Sequence, residues 1–330
     1  MKNITVLLVI LLVFSCKKNQ EKTADVSQNT KLSGAVFGTT YSIIYDDKTD
    51  YKIQIDSLFT VINASMSTYI NDSDISKLNR NEPVEVDHHF KNVFSASKEI
   101  YEATGGIFDP TIGDVVNAWS FGAETNKFLT DAQVIDSLMQ FVGFNRVKLE
   151  GENVIKPLNT YLEFNAIAKG YGVDVVGEFL ESKDINNYLV EIGGEIRVRG
   201  KNIEKDALWL VGLDEPRFDG GQSVYKAISL IDEAMATSGT YRKFKVDENG
   251  NKYAHIIDTK TGYPTKTNIL SVSVIAKECM VADAYATAFQ AMGIENVSRF
   301  LQSHPELKAF LIFENDDKEL ETLNLNGFPK

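Results

Sequence analysis

The spacing of apolar and polar side chains changes period repeatedly along this chain. Residues 41–45 (YSIIY) are β-branched and aromatic and predict the first strand. Apolar residues at helical spacing over 53–65 predict a helix, and Asp72, Ser73 and Asp74 offer caps for a short second one ending at Leu78. Residues 90–104 form a third amphipathic pattern, closed by Gly105-Gly106 as a helix C-terminus. A Gly113 turn follows, then a helix over 131–141 and short strands around Val147 and Val154. Residues 161–166 predict a strand that turns a tight corner into a helix reaching about Ser182. Residues 188–199 predict a strand interrupted at Gly193-Gly194, as at a bulge or where a ligand meets bare backbone. Two more strands are expected over 209–213 and 225–231, and a turn or anion nest over 235–241 around Gly239. A buried strand at 255–257, another at 269–276, a helix through VADAYAT, a helix over 295–303 and a strand over 310–314 complete the pattern. Strands and helices are mixed without strict βαβ alternation, which predicts an α+β fold.

The amino terminus departs from this pattern. A positive start, an apolar run over 4–14 and Ser15-Cys16 make an export signal; eleven residues are too few for a membrane helix, which needs ~20. Val13-Phe14-Ser15-Cys16 resembles a bacterial lipobox, so residues 1–15 are expected to be removed and Cys16 lipidated. Residues 17–33 are polar, lack aromatics and are read as a flexible tether of at most ~60 Å. The expectation is an exported, membrane-anchored lipoprotein facing the periplasm, with its folded domain over 34–330.

With 43% hydrophobic residues the composition is that of a globular protein, and a net charge of −12 excludes a nucleic-acid footprint. Of two cysteines, Cys16 goes to the anchor and Cys279 has no partner for a disulfide. Candidate chemistry lies in three places. Asp283 and Thr287 are four apart, so a helix stacks them on one face. An acid and a hydroxyl so placed suit a hard cation such as Mg²⁺ with room for phosphates; by spacing alone a solvated acid and a capping hydroxyl are the commoner arrangement. The loop over 104–122 (TGGIFDPTIGDVVNAWSFG) carries Phe108, Asp109 and Trp119, suited to a planar ring or simply to a packed corner. Lys169-Gly170 near a helix start offers a cation and N–H groups to a phosphate, without Walker or dinucleotide glycine spacing.

Taken in order, GTTYSI, MSTY, DSDISKLN, GGIFDPTIG, WSFG, IAKGYGVD, YLVEIGGEIRVRG, ATSGTY, HIIDTKTGYP and VADAYAT resemble the ApbE family of FAD:protein FMN transferases. The resemblance implies a single α+β, T-fold-related domain of mainly antiparallel sheets with flanking helices. It implies a Mg²⁺-dependent transfer of FMN from FAD to a Ser or Thr hydroxyl of exported or membrane-bound target proteins, releasing AMP. By motif position, Asp283, Thr287 and the backbone carbonyl of Ala166 stand as metal ligands. Phe37, Ile107, Phe108, Asp109, Glu163, Lys169, Ile256 and Ile257 stand as FAD contacts. His255 is the candidate general base, and Asp283 belongs to the catalytic set. The chain departs from the family at Thr259-Lys260, where Pro-Arg is usual, and at Glu163 and Glu195, where Asp is frequent. The alternatives are a Mg²⁺-dependent FAD pyrophosphatase, a lipoprotein that binds FAD without chemistry, and, more remotely, a solute-binding lipoprotein.

Overall fold

The computed structural model describes residues 29–124, 131–219, 221, 223–241, 244–246 and 252–330. Cys16 and the segment expected to be an export signal lie outside the described residues. The centre is one eight-stranded sheet with every neighbouring pair antiparallel. Its first hairpin joins β1 (Thr30–Val36) to β2 (Thr39–Tyr45) through Phe37-Gly38, both with positive φ (49° and 74°). That is the backbone of a two-residue turn whose twist matches the strands. β1 thus begins inside the stretch read as tether, because its polar residues pair with β2 while Leu32 and Val36 turn into the core.

Helices α1 (Lys52–Met66), α2 (Asp74–Asn79) and α3 (His88–Ala103) follow, with Ser73 and Asp87 capping the last two. α4 (Gly113–Ala118) replaces the expected turn at Gly113. α5 (Ala132–Met139), capped by Asp131, precedes the small hairpin of β3 (Lys148–Glu150) and β4 (Asn153–Ile155). The strand expected over 161–166 does not form. Its backbone groups are taken by a side chain and a loop instead: Asn79 Nδ2 donates to Leu162 O, Leu162 N to Asn79 Oδ1, and Glu163 N to Pro110 O.

α6 (Ala168–Glu181) leads to β5 (Tyr188–Ile192) and β6 (Glu195–Arg199), joined by a tight turn at Gly193-Gly194 (φ 62° and 104°) rather than a bulge. β7 (Trp209–Asp214) and β8 (Val224–Leu230) form a separate hairpin. β9 (Ala234–Gly239) is a full sheet strand where a turn or nest was expected, since ladder bonding to β12 satisfies its backbone. β10 (Phe244–Val246) pairs with β11 (Lys252–Ala254). Residues 255–257 then leave strand geometry, with only an isolated bridge from Ile257 to Pro264. β12 (Ile269–Ala276), α7 (Cys279–Met292), α8 (Ile294–Gln302), β13 (Lys308–Glu314) and β14 (Leu320–Leu325) finish the chain; β14 is polar and edge-lying, so its sequence carried no strand signal.

The sheet is the middle of three layers. β12 is buried at every position because its Val272, Val274 and Ala276 face α7 while Ile275 faces the β7–β8 hairpin. This is the period-2 alternation of a strand covered on both sides. α6 covers β5 and β6, and α7 covers β9 and β12, which sets the two helices side by side. No helix among the described residues is long and apolar enough to cross a membrane.

Candidate active site

Where α6 and α7 begin, each supplies a carboxylate to the other's first turn. Asp174 of α6 accepts from Cys279 N (2.9 Å) and Met280 N (2.8 Å), and Asp283 of α7 accepts from Gly170 N (3.0 Å). The first N–H groups of a helix have no partner within it, so this exchange satisfies donors at both starts. Arg197 Nη1 neutralises Asp174 at 2.9 Å. Gly170 permits the close approach: a Cβ there would stand 2.4 Å from Cys279 O. Two helix N-termini are thereby aimed together, and their dipoles favour an anion.

Lys169 lies at this junction, 2.5 Å from Glu195 Oε1 and 3.9 Å from Asp283 Oδ1. Two buried carboxylates face one ammonium, so the group carries surplus negative charge. Burial pushes Glu195 up to about 7, against the pull of Lys169 and with a further push from Asp283. Burial alone would lower Lys169, yet Asp283 and Glu195 hold it above its usual range. Glu195 Oε2 is buried with no hydrogen-bond partner among the described residues. Thr287 sits one turn along α7 from Asp283, half-buried on the same face. Ala166, also half-buried, lies in the turn leading into α6.

The second half of the site is the loop after α3. Gly105 and Gly106 take left-handed backbone (φ 59° and 82°), and Phe108 N donates to Thr104 Oγ1. Phe108 is buried and Ile107 half-buried. Asp109 is buried with its oxygens engaged: Oδ1 accepts from Thr111 N and Oγ1, and Oδ2 from Phe144 N. Burial raises its pKa in spite of these donors. Asp109 therefore shapes the loop from within. The 255–264 segment docks onto the same loop, with Thr259 Oγ1 donating to Gly106 O (2.6 Å) and Trp119 Nε1 to Gly262 O (2.8 Å). His255 stands edge-on to Phe121 at 6.3 Å. Ile256 and Ile257 are buried, the latter packing with Ile112, Val115 and Trp119.

Phe37, at the tip of the first hairpin, packs on Phe59 and on Gly172 of α6, whose Cβ would stand 2.6 Å from the ring. Glu163 follows the Pro110 contact and accepts from Asn165 Nδ2 at 3.0 Å. A cavity of about 670 Å³ opens nearby, lined among others by Tyr69, Asp114, Glu124 and Tyr161. Burial and then the Glu163 charge raise the Tyr69 hydroxyl. Tyr69 and Tyr161 were not singled out from the sequence. A tyrosine left 63% exposed just past a helix end is the feature that marks Tyr69.

The structure thus brings Lys169 and Asp283 together directly, and joins residues 106–109 to the 255–264 turn. It places Phe37 against α6 and Glu163 against the loop at Pro110. An α+β chain with paired helix N-termini, buried carboxylates facing a lysine and an aromatic loop docked on the 255–264 turn has the parts of a nucleotide-handling enzyme.

The sequence matches the ApbE family over residues 37–311, and the chain belongs to that family. The FAD:protein FMN transferase of Vibrio cholerae is 36% identical over 93% of this chain and 92% of that protein. That of Haemophilus influenzae is 34% identical over 96% and 94%. Among solved structures, the flavin transferase ApbE from Vibrio cholerae superposes with a TM-score of 0.82 at 33% identity, covering 90% of this chain and 97% of that one.

Proposed function

We propose that this chain is an FAD:protein FMN transferase that moves FMN from FAD to a Ser or Thr hydroxyl of an exported protein and releases AMP. The observation that carries the reading is the Lys169–Glu195–Asp283 cluster, with both carboxylates buried, at two adjoining helix N-termini. Its surplus negative charge, its orphaned Glu195 oxygen and its oxygen donors fit a divalent hard cation such as Mg²⁺. Asp283, Thr287 and the Ala166 carbonyl would hold it. When bound, such an ion neutralises pyrophosphate charge and acts as a Lewis acid.

The chain's own groups do the rest. The α6 and α7 N-termini present fixed positive potential to the pyrophosphate, and Lys169 adds a cation where charge develops on the leaving phosphate. Phe37, Ile107 and Phe108 bound the isoalloxazine, the loop being held in shape by Asp109. Glu163, Ile256 and Ile257 complete the FAD contacts. His255 takes the proton from the incoming hydroxyl. His255→Asn is expected to lower kcat by about a hundredfold, the lower end for a general base, with FAD affinity kept; an unchanged kcat would assign the proton elsewhere.

Incubation with FAD, Mg²⁺ and a candidate exported protein, read by mass spectrometry, tests the whole reading. Covalent FMN on the target with AMP in solution supports it. Free FMN and AMP without labelled protein would mark a pyrophosphatase, and FAD binding that survives Asp283→Ala, with no AMP released even by the wild type, would mark a storage protein.

The reading includes lipidation at Cys16 and a site of action at the periplasmic face of a membrane. Cys16→Ser is expected to move the protein from the membrane to the soluble fraction; retention in membranes would defeat the anchor.

A further inference from the structure

A second cluster of metal-ligating side chains lies outside the flavin site, at the start of α3. Asp87, His88 and His89 each offer a ligand atom, and these atoms all lie within 4.8 Å of one another. The two imidazoles face each other with centroids 3.9 Å apart.

Two of the three side chains are already held. Asp87 Oδ1 accepts from Ser65 Oγ (2.8 Å) and from Phe90 N (2.8 Å), so the carboxylate is fixed by α1 and by its own helix. His89 is buried, and its Nδ1 meets the Tyr171 hydroxyl at 2.9 Å, which leaves Nε2 as the open ligand position. An imidazole fixed through one nitrogen by an outer partner is the usual arrangement of a metal-binding histidine. His88 is exposed and free to turn.

We propose that Asp87, His88 and His89 bind a divalent transition metal ion of the zinc class, one per chain, at a site separate from the flavin site. Two imidazole nitrogens and one carboxylate oxygen suit Zn²⁺, Co²⁺ or Ni²⁺ and discriminate against Mg²⁺. Ligand atoms on a tetrahedral zinc lie about 3.4 Å apart, so the cluster need close by no more than about 1.4 Å on binding. A rotamer change at His88 supplies most of that movement. The helix dipole opposes a cation here, and the Asp87 carboxylate offsets it. Through Tyr171 the ion would tie the first turn of α3 to α6, one residue beyond Gly170.

The test is Zn²⁺ alone titrated into the full mature chain, purified without a histidine tag, in millimolar Mg²⁺, against a chromophoric competitor. One saturable site per chain is expected. His88→Ala should weaken it at least tenfold while the metal-free protein melts with the wild type, and Tyr171→Phe should weaken it about tenfold. Asp283→Asn should bind as tightly as the wild type, so this proposal and the flavin reading fail separately. No saturable uptake, full affinity in His88→Ala, or loss of the site in Asp283→Asn would overturn it.

Discussion

Asp283→Asn is expected to melt no lower than the wild type while losing FMN transfer by a thousandfold or more. The asparagine carbonyl still accepts from Gly170 N, where the carboxylate now does at 3.0 Å. Lys169 keeps its stronger partner, Glu195, at 2.5 Å. Removing one of two buried negative charges also relieves the repulsion that raises Glu195. The fold therefore loses little, and the site loses the charge that attracts the cation. Metal assistance supplies several kcal/mol of transition-state stabilisation, and each 1.36 kcal/mol is tenfold in rate. Thermal melting and single-turnover transfer with FAD in excess are the measurements. Transfer within tenfold of wild type would remove Asp283 from the reaction, and a fall of many degrees would show that its charge is structural.

Gly170→Ala should do the reverse and damage the fold first. Its Cβ would lie 2.4 Å from Cys279 O and 2.7 Å from Met280 Cα, both backbone atoms of the first turn of α7. Backbone held by Asp174 cannot swing aside as a side-chain tip does. Overpacking costs typically 1–3 kcal/mol, and here the upper end or beyond is expected, which lowers Tm by on the order of 5–10 °C. Gly172→Ala is the control. Its clash is with the Phe37 ring, a side chain at a hairpin tip, so a smaller loss of Tm and a raised KM for FAD are expected. Equal melting of Gly170→Ala and wild type would mean that the two helix starts are not locked together.

Much of the fold was legible because period and punctuation agreed. Helices α1, α6, α7 and α8 follow their apolar spacing, α2, α3 and α5 their spacing and caps, and β12 its apolar run broken only by Ser271 and Ser273. The errors have local physical causes. Residues 161–166 carry strand composition, yet Asn79 and Pro110 take their backbone groups, and no sequence signal within the segment reports that. β9 looked like a turn because small hydroxyl residues serve both purposes; only pairing with β12 decides it. β1 looked like tether because a polar edge strand needs few apolar residues.

The site was legible as a set of motifs but not as an arrangement. Lys169 and Asp283 could be named, whereas the pairing of Lys169 with Glu195 depends on β6 lying under α6. The exchange of carboxylates between α6 and α7 joins residues 105 and 113 apart. Spacing within a helix carries no information about such pairs. Asp109 was read as a ligand contact, and its hydrogen bonds to Thr111 and Phe144 add a role in shaping the loop that composition does not reveal.

The order of strands in the central sheet has a further bearing on when the enzyme comes into being. β9, β12, β13 and β14 make up half of that sheet, and α7 carries Asp283, so the Lys169–Asp283 junction cannot assemble from the first two hundred residues. A polypeptide that crosses a membrane unfolded behind its signal segment would remain blind to the cytoplasmic FAD pool throughout its passage. Under the proposed export, folding of the last third of the chain on the far side would be the switch that turns nucleotide capture on.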